Sequence, residues 1–127
     1  MHIPLSLDIP ERLQYIRNTL QDIIDQYEIN NAFIRINEGM YSVKSHDIER
    51  YNIEGVILEC VAGCDIVKYK YGKIVTMERL LGLEKGDFKD LAYGKEIYEV
   101  PSELDWANGL SKEERESILA CNAALNL

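Results

Sequence analysis

The chain has little cysteine, proline or histidine. Its 127 residues include three cysteines, three prolines and two histidines. An odd number of cysteines in apolar segments argues against a disulfide framework and favours reduced, buried thiols. Cys60 and Cys64 have the spacing C-x-x-x-C, but Cys121 and two distant histidines do not complete a zinc site with them.

The sequence also lacks a membrane-spanning segment and an excess of basic residues. No stretch approaches the roughly 18 apolar residues that cross a bilayer. Residues 1–10 lack the basic region and the cleavage site of a signal peptide, so we expect a cytoplasmic protein without membrane contact. Acidic residues outnumber basic ones by 22 to 14, which leaves a net charge of -8. This charge disfavours the wrapping of duplex nucleic acid.

The remaining composition is that of one folded domain. Hydrophobic residues make up 46% of the chain, enough for a core at this length. Asp8 and Pro10 mark the start of a helix over residues 10–27, whose apolar positions recur at three- and four-residue steps. Ser45 or Asp47 can cap a second helix that ends at a left-handed Gly63. Similar signals, among them a capping box at Ser111, predict helices over residues 47–62, 74–81, 87–93 and 112–124.

Two segments have the character of strands. Residues 32–36 form a short β-prone run, and residues 64–71 alternate, with lysines on one face and tyrosines on the other. A helix between two strands indicates a parallel crossover, so the predicted class is α/β, with residues 1–127 as a single domain. Only Ile3, Leu5 and Leu7 alternate like a leading strand.

This order resembles the middle of RuvC-like Holliday-junction resolvases and related ribonuclease H-fold proteins. Five segments of this chain resemble successive elements of that family. They are the predicted helix at residues 12–17, the strand at 32–36, the helix with a Gly-Val-Ile pattern at 55–60, the strand at 64–67 and the closing helix at 114–124. It implies a ribonuclease H-like fold, with a mixed or parallel sheet flanked by helices and with leading strands reduced or missing.

The family's chemistry is metal-dependent cleavage of nucleic acid, in which three or four carboxylates hold two Mg²⁺ ions. The strand that carries the family's leading Asp has no counterpart here. Glu38 lies a few positions beyond the strand that the family's second acidic residue would close. Ser117 stands near the expected final Asp, with Glu113, Glu114 and Glu116 as imperfect substitutes. The resemblance therefore implies a degenerate member without catalytic residues or cofactor. Mg²⁺ enters only if Glu38, Glu114 and Glu116 converge.

Three further groups have a functional and a structural interpretation. The cluster Lys68, Tyr69, Lys70, Tyr71 and Lys73 can neutralise phosphates and stack on bases, but alternating Lys and Tyr is also typical of a strand with one solvated face. His46 and Asp47 beside Glu38 suggest an acid-base pair, although an exposed helix entry explains them as well. Trp106 is either an interface anchor or a core residue, and the core is the more common place.

Two functional hypotheses follow. The first is a catalytically silent ribonuclease H/RuvC-like domain that acts as a binding or accessory protein linked to nucleic-acid metabolism. The second is an acidic protein-binding inhibitor, such as an immunity or antitoxin-like factor, that meets a basic partner by charge complementarity. A contiguous acidic face with an exposed aromatic residue would favour the second. The missing leading strands also make a homo-oligomer a sensible expectation.

Overall fold

A computed structural model describes residues 2–36 and 45–127, with the side chains of residues 45–47 left out. Over these ranges the chain forms five helices and a two-stranded parallel sheet, which confirms the mixed α/β class. In chain order the elements are α1 (Ile9–Gln26), β1 (Asn31–Arg35), α2 (Ser45–Gly63), β2 (Lys68–Gly72), α3 (Ile74–Leu81), α4 (Asp87–Ala92) and α5 (Lys112–Leu125).

Helix α1 begins where its capping signal predicts. The Asp8 carboxylate accepts a hydrogen bond from the Glu11 backbone N–H at 3.0 Å, and proline stands in the first turn. Ile16 and Ile24 on the apolar face are buried. Residues 2–8 form no strand, although Ile3, Leu5 and Leu7 alternate like one. This segment is held instead by Arg12, whose guanidinium donates to the Leu7 carbonyl at 3.0 Å.

The crossover helix α2 confirms the prediction for residues 47–62 and extends it at both ends. Gly63 is its last residue. It does not have a positive φ, so the predicted left-handed conformation is wrong. Gly55 permits no close packing either: a Cβ built on it would meet nothing within 4 Å. This glycine therefore lowers the helix propensity of α2 without a packing benefit.

The two strands run parallel, as the crossover requires. Helices cover β1 on both faces. On one face Phe33 packs against the core cluster that includes Leu119 of α5, and the Asn31 side chain donates to the Ala124 carbonyl at 2.8 Å. On the other face Ile34 is buried and lines a groove with residues of α2. β1 is thus the central layer of the fold.

The C-terminal half holds the larger core cluster. Gly82 ends α3 in the left-handed conformation, at φ 70°, which glycine adopts without strain. The capping box at Ser111 opens α5, and Trp106 is buried, with its indole N–H donating to the Leu91 carbonyl at 3.0 Å. The buried residues of this cluster are Met77, Phe88, Leu91, Ala92, Trp106, Leu119 and Ala123.

Two buried charged side chains organise this half. The Arg115 guanidinium donates to four backbone carbonyls, those of Ala92, Trp106, Ala107 and Leu110. The buried Glu78 carboxylate accepts from the backbone N–H groups of Gly86 and Phe88, at 2.8 and 3.2 Å. Both charges satisfy backbone groups that would otherwise be buried without partners.

Candidate functional site

The predicted Lys and Tyr cluster lies on β2 and directly after it. Parallel pairing sets Tyr69 beside Ala32 and Tyr71 beside Ile34, so the tyrosines belong to the same sheet face as Ile34. Lys68 and Lys70 project from the opposite face. The predicted division of lysines and tyrosines between two faces is therefore confirmed, although the strand begins at Lys68 and not at residue 64.

Both faces of β2 are open to solvent. Tyr69 is 46% exposed, Tyr71 is 57% exposed, and Val67 just before them is 73% exposed. The structural interpretation of the cluster was a strand with one solvated face, whereas the tyrosines are exposed as well as the lysines. Strands of parallel sheets are usually covered on both faces. An uncovered pair of tyrosines on such a strand is therefore a feature that packing does not explain.

Positive charge is concentrated in the same segment. Residues 67–73 contain three lysines and no acidic residue, in a chain with net charge -8. All three lysines are exposed. The Lys68 ammonium donates to the Leu127 carbonyl at 3.2 Å, and Lys73 occupies the position before the first residue of α3.

The carboxyl end of β2 is fixed by close packing. Gly72 is buried, and a Cβ on it would lie 2.7 Å from Thr76 Oγ1, in the first turn of α3. The Gly72 carbonyl accepts from the Ile36 N–H at 3.0 Å. Only glycine allows the strand and α3 to approach so closely. This contact sets the position of Lys73 relative to the two tyrosines.

A shallow groove of about 190 Å³ starts at Ile34, the register partner of Tyr71. Arg50 and Glu54 line it from α2, and Arg35 lines it from the end of β1, although the Arg35 guanidinium is paired with Glu116 of α5. Sequence reasoning missed both arginines. Arg35 could have been found, because it ends the first strand and the carboxyl ends of parallel strands meet at one edge. Arg50 depends on how α2 packs, and the sequence carries no signal for that.

Two of the three candidate catalytic carboxylates, Glu114 and Glu116, have structural partners. Glu114 closes the capping box, and its Oε1 accepts a hydrogen bond from the Ser111 N–H at 3.1 Å. Hydrogen bonds with the backbone and the side chain of Ser111 lower the pKa of Glu114. Glu116 is ion-paired with Arg35 at 2.9 Å. Glu38 lies outside the described residues, and so do the side chains of His46 and Asp47. Among the side chains that the structure does describe, no three metal-ligating ones converge on a point.

The cysteines differ from one another in burial. Cys60 is buried and Cys64 half-buried, but Cys121 is exposed on α5, so the prediction of buried thiols is wrong for Cys121. The sulfur atoms of Cys60 and Cys64 lie 3.8 Å apart. The pKa of Cys60 is raised to about 11. The main cause is burial between α1 and α2, and the hydrogen bond with Cys64 adds to it.

None of the helices described here is long and apolar enough to span a membrane. Comparison of the chain with protein-family models, with curated proteins and with solved structures gives no match. Function must therefore be argued from the site itself.

Proposed function

We propose that the chain is a catalytically silent binding module linked to nucleic-acid metabolism, with a degenerate ribonuclease H/RuvC-like scaffold, and that it binds single-stranded nucleic acid at β2. The observation that carries this proposal is the exposure of Tyr69 and Tyr71, 46% and 57%, on one face of a parallel strand. The β1–α2–β2 order supports the scaffold, because parallel strands joined by a helix are part of that fold.

The spacing of the tyrosines suits stacking. Side chains two residues apart on a strand project from the same face at a separation of about 7 Å. Two aromatic rings at that distance can each stack on a base of an extended strand, and such stacking contributes about 1–3 kcal/mol per base without sequence preference. Lys73, directly after the strand, supplies charge for the phosphates beside the tyrosines, and Lys68 and Lys70 on the opposite face add to the positive charge of the segment.

Charge also selects the form of the nucleic acid. Three lysines in a protein of net charge -8 provide a modest phosphate attraction. Affinity must therefore come largely from the aromatic rings, and bases within a duplex are not available to stack on them. This argument favours single strands over duplexes.

The engagement of Glu114 and Glu116 in structural contacts supports binding without cleavage. Glu114 is held by the capping box and Glu116 by Arg35. A two-metal centre needs carboxylates that are free to coordinate and that converge on a pair of ions. The proposal accordingly assigns no catalytic residue and no Mg²⁺ to the chain.

The test is a fluorescence-anisotropy titration with a labelled oligothymidylate, performed beside a duplex of equal length. Replacing both tyrosines by alanine removes two stacking contacts, so we expect a loss of at least tenfold in affinity. Phenylalanine at both positions should preserve binding. Tyr27→Ala is the matched control, because Tyr27 is 68% exposed on a different part of the surface.

Two results would overturn the proposal: duplex binding as tight as single-strand binding, or equal losses from the Tyr27 variant and the β2 variant. A lysine substitution provides a second readout. Lys73→Gln should reduce the salt dependence of binding, since each phosphate contact contributes about 0.7 to the slope for single strands. An unchanged slope for the Lys73 variant would place the nucleic acid elsewhere.

A second candidate, the acidic protein-binding inhibitor, is favoured by a different surface. Asp25, Glu28 and Asp65 line one cleft of about 190 Å³, and Tyr27 between the first two in the chain is largely exposed. An acidic cleft of this kind, with an exposed aromatic residue adjacent in the chain, suits a basic partner by charge complementarity. Calorimetry with a lysine-rich peptide tests it. Weaker binding by Tyr27→Ala with unchanged binding by the β2 variants would support this candidate over the first.

A further inference from the structure

Two thiols meet at the end of α2. Cys60 lies in the last turn of the helix, Cys64 follows its final residue, and their sulfur atoms are 3.8 Å apart. Cys60 Sγ also lies 3.7 Å from the Arg17 carbonyl on α1. Neither contact enters the binding function proposed above.

The backbone between the two thiols has room to adjust. A disulfide needs a sulfur separation of about 2.05 Å, so the two atoms must approach by a little under 2 Å. Cys64 lies in a bend outside the helix, and a Cβ on the preceding Gly63 would meet nothing within 4 Å. The movement therefore falls on a residue just outside the helix, next to a glycine that has free space around it.

The two thiols differ in a way that assigns their roles. Cys60 is 2% exposed, and burial raises its pKa to about 11, so it keeps its proton near neutral pH. Cys64 is half-buried and can meet a small molecule from solvent. Since thiol exchange begins with an accessible sulfur, Cys64 is the thiol that is attacked or attacks first, and Cys60 closes the bond.

We propose that Cys60 and Cys64 form a site of reversible thiol–disulfide exchange with low-molecular-weight disulfides such as oxidised glutathione. The Cys64 thiolate attacks one glutathione sulfur and expels the other as a thiolate, which leaves a mixed disulfide. The small fraction of Cys60 that has released its proton to solvent then attacks Cys64 Sγ and expels the second glutathione thiolate. Two protein thiols are oxidised by two electrons, and one glutathione disulfide is reduced to two thiols that take up the released protons.

The experiment uses Cys121→Ser protein, because Cys121 is exposed and would form adducts of its own. The folded protein is equilibrated with graded ratios of oxidised to reduced glutathione, quenched with acid, and analysed by intact mass and peptide mapping. We expect a species lighter by two hydrogen atoms, with Cys60 linked to Cys64, which excess reduced glutathione converts back. In Cys60→Ser the exchange should stop at a mixed disulfide on Cys64.

Three outcomes would overturn the inference: both thiols unmodified at the most oxidising ratio, a lasting glutathione adduct on Cys64 while Cys60 is present, or a disulfide between two chains. The decisive protein retains both cysteines, so the result does not depend on whether the Cys60→Ser variant folds. Circular dichroism before and after oxidation checks that the helices persist.

Discussion

Arg35 at the end of β1 forms an ion pair with Glu116 of α5, with 2.9 Å between Nη1 and Oε2. The Lys112 ammonium forms a second ion pair with the Glu116 carboxylate, with 3.9 Å between Nζ and Oε1. The pair with Arg35 joins the central strand to the last helix and engages one of the weak candidates for a catalytic carboxylate. The ion pair therefore gives Glu116 a structural role.

This pairing predicts a mild phenotype for Glu116→Gln. A partly exposed ion pair contributes less than about 1 kcal/mol, so the free energy of unfolding should fall by no more than that. Millimolar Mg²⁺ should leave the melting temperature of the parent protein and the variant unchanged. A melting temperature that rises with Mg²⁺ in the parent protein alone would show that Glu116 binds the ion.

Arg115→Ala should be far more damaging. The substitution removes hydrogen bonds to four carbonyls, and each buried acceptor left without a partner costs about 1–3 kcal/mol. We expect a loss of at least about 3 kcal/mol in urea denaturation. Arg79→Ala is the control, because Arg79 is exposed on α3 and should change stability by less than about 0.5 kcal/mol. Equal effects would contradict the structural role of Arg115.

Local signals explain why most elements could be predicted. The Asp8 cap, the left-handed Gly82 and the Ser111–Glu114 capping box are each encoded within a few residues, and all three are present. Arg115 shows the opposite situation. Its acceptors come from the end of α4 and from the loop before α5, so no short stretch of sequence reveals that this arginine is buried.

Two glycines should respond to alanine with opposite signs. Gly55→Ala adds helix propensity where a Cβ has space, so it should stabilise the protein by up to about 1 kcal/mol. Gly72→Ala forces a Cβ to within 2.7 Å of Thr76 Oγ1 and should cost about 1–3 kcal/mol. Thermal unfolding of both variants measures this difference. Stabilisation by Gly72→Ala would show that α3 does not pack closely on β2.

The capping box should have a pH signature. Hydrogen bonds from the Ser111 backbone N–H and side chain lower the pKa of Glu114 below its ordinary value of 4.5. Because the folded state then binds the proton less tightly than the unfolded state, the stabilisation is fully present above the unfolded value and is lost as the pH falls through the folded one. The stability difference between the parent protein and Glu114→Gln should therefore shrink under acid. A difference that is constant from neutral to acidic pH would contradict this.

Part of the candidate site was predictable and part was not. Alternation of lysine and tyrosine predicts the strand, and the preceding helix predicts its parallel partner. Whether Tyr69 and Tyr71 are covered depends on elements distant in the chain, which the alternation does not report. Exposure of Cys121 on α5 was missed for the same reason, since an apolar neighbourhood in sequence does not determine which side of a helix packs.

Chemical-shift mapping with ¹⁵N-labelled protein and an unlabelled oligothymidylate tests the central claim most directly. The account predicts that the amide signals of residues 67–73 move most on titration, with those of Arg35 and Arg50 following, and that the double tyrosine-to-alanine variant loses these shifts. Unchanged signals over β2 at saturating oligonucleotide, or shifts centred on Asp25 and Asp65, would contradict it.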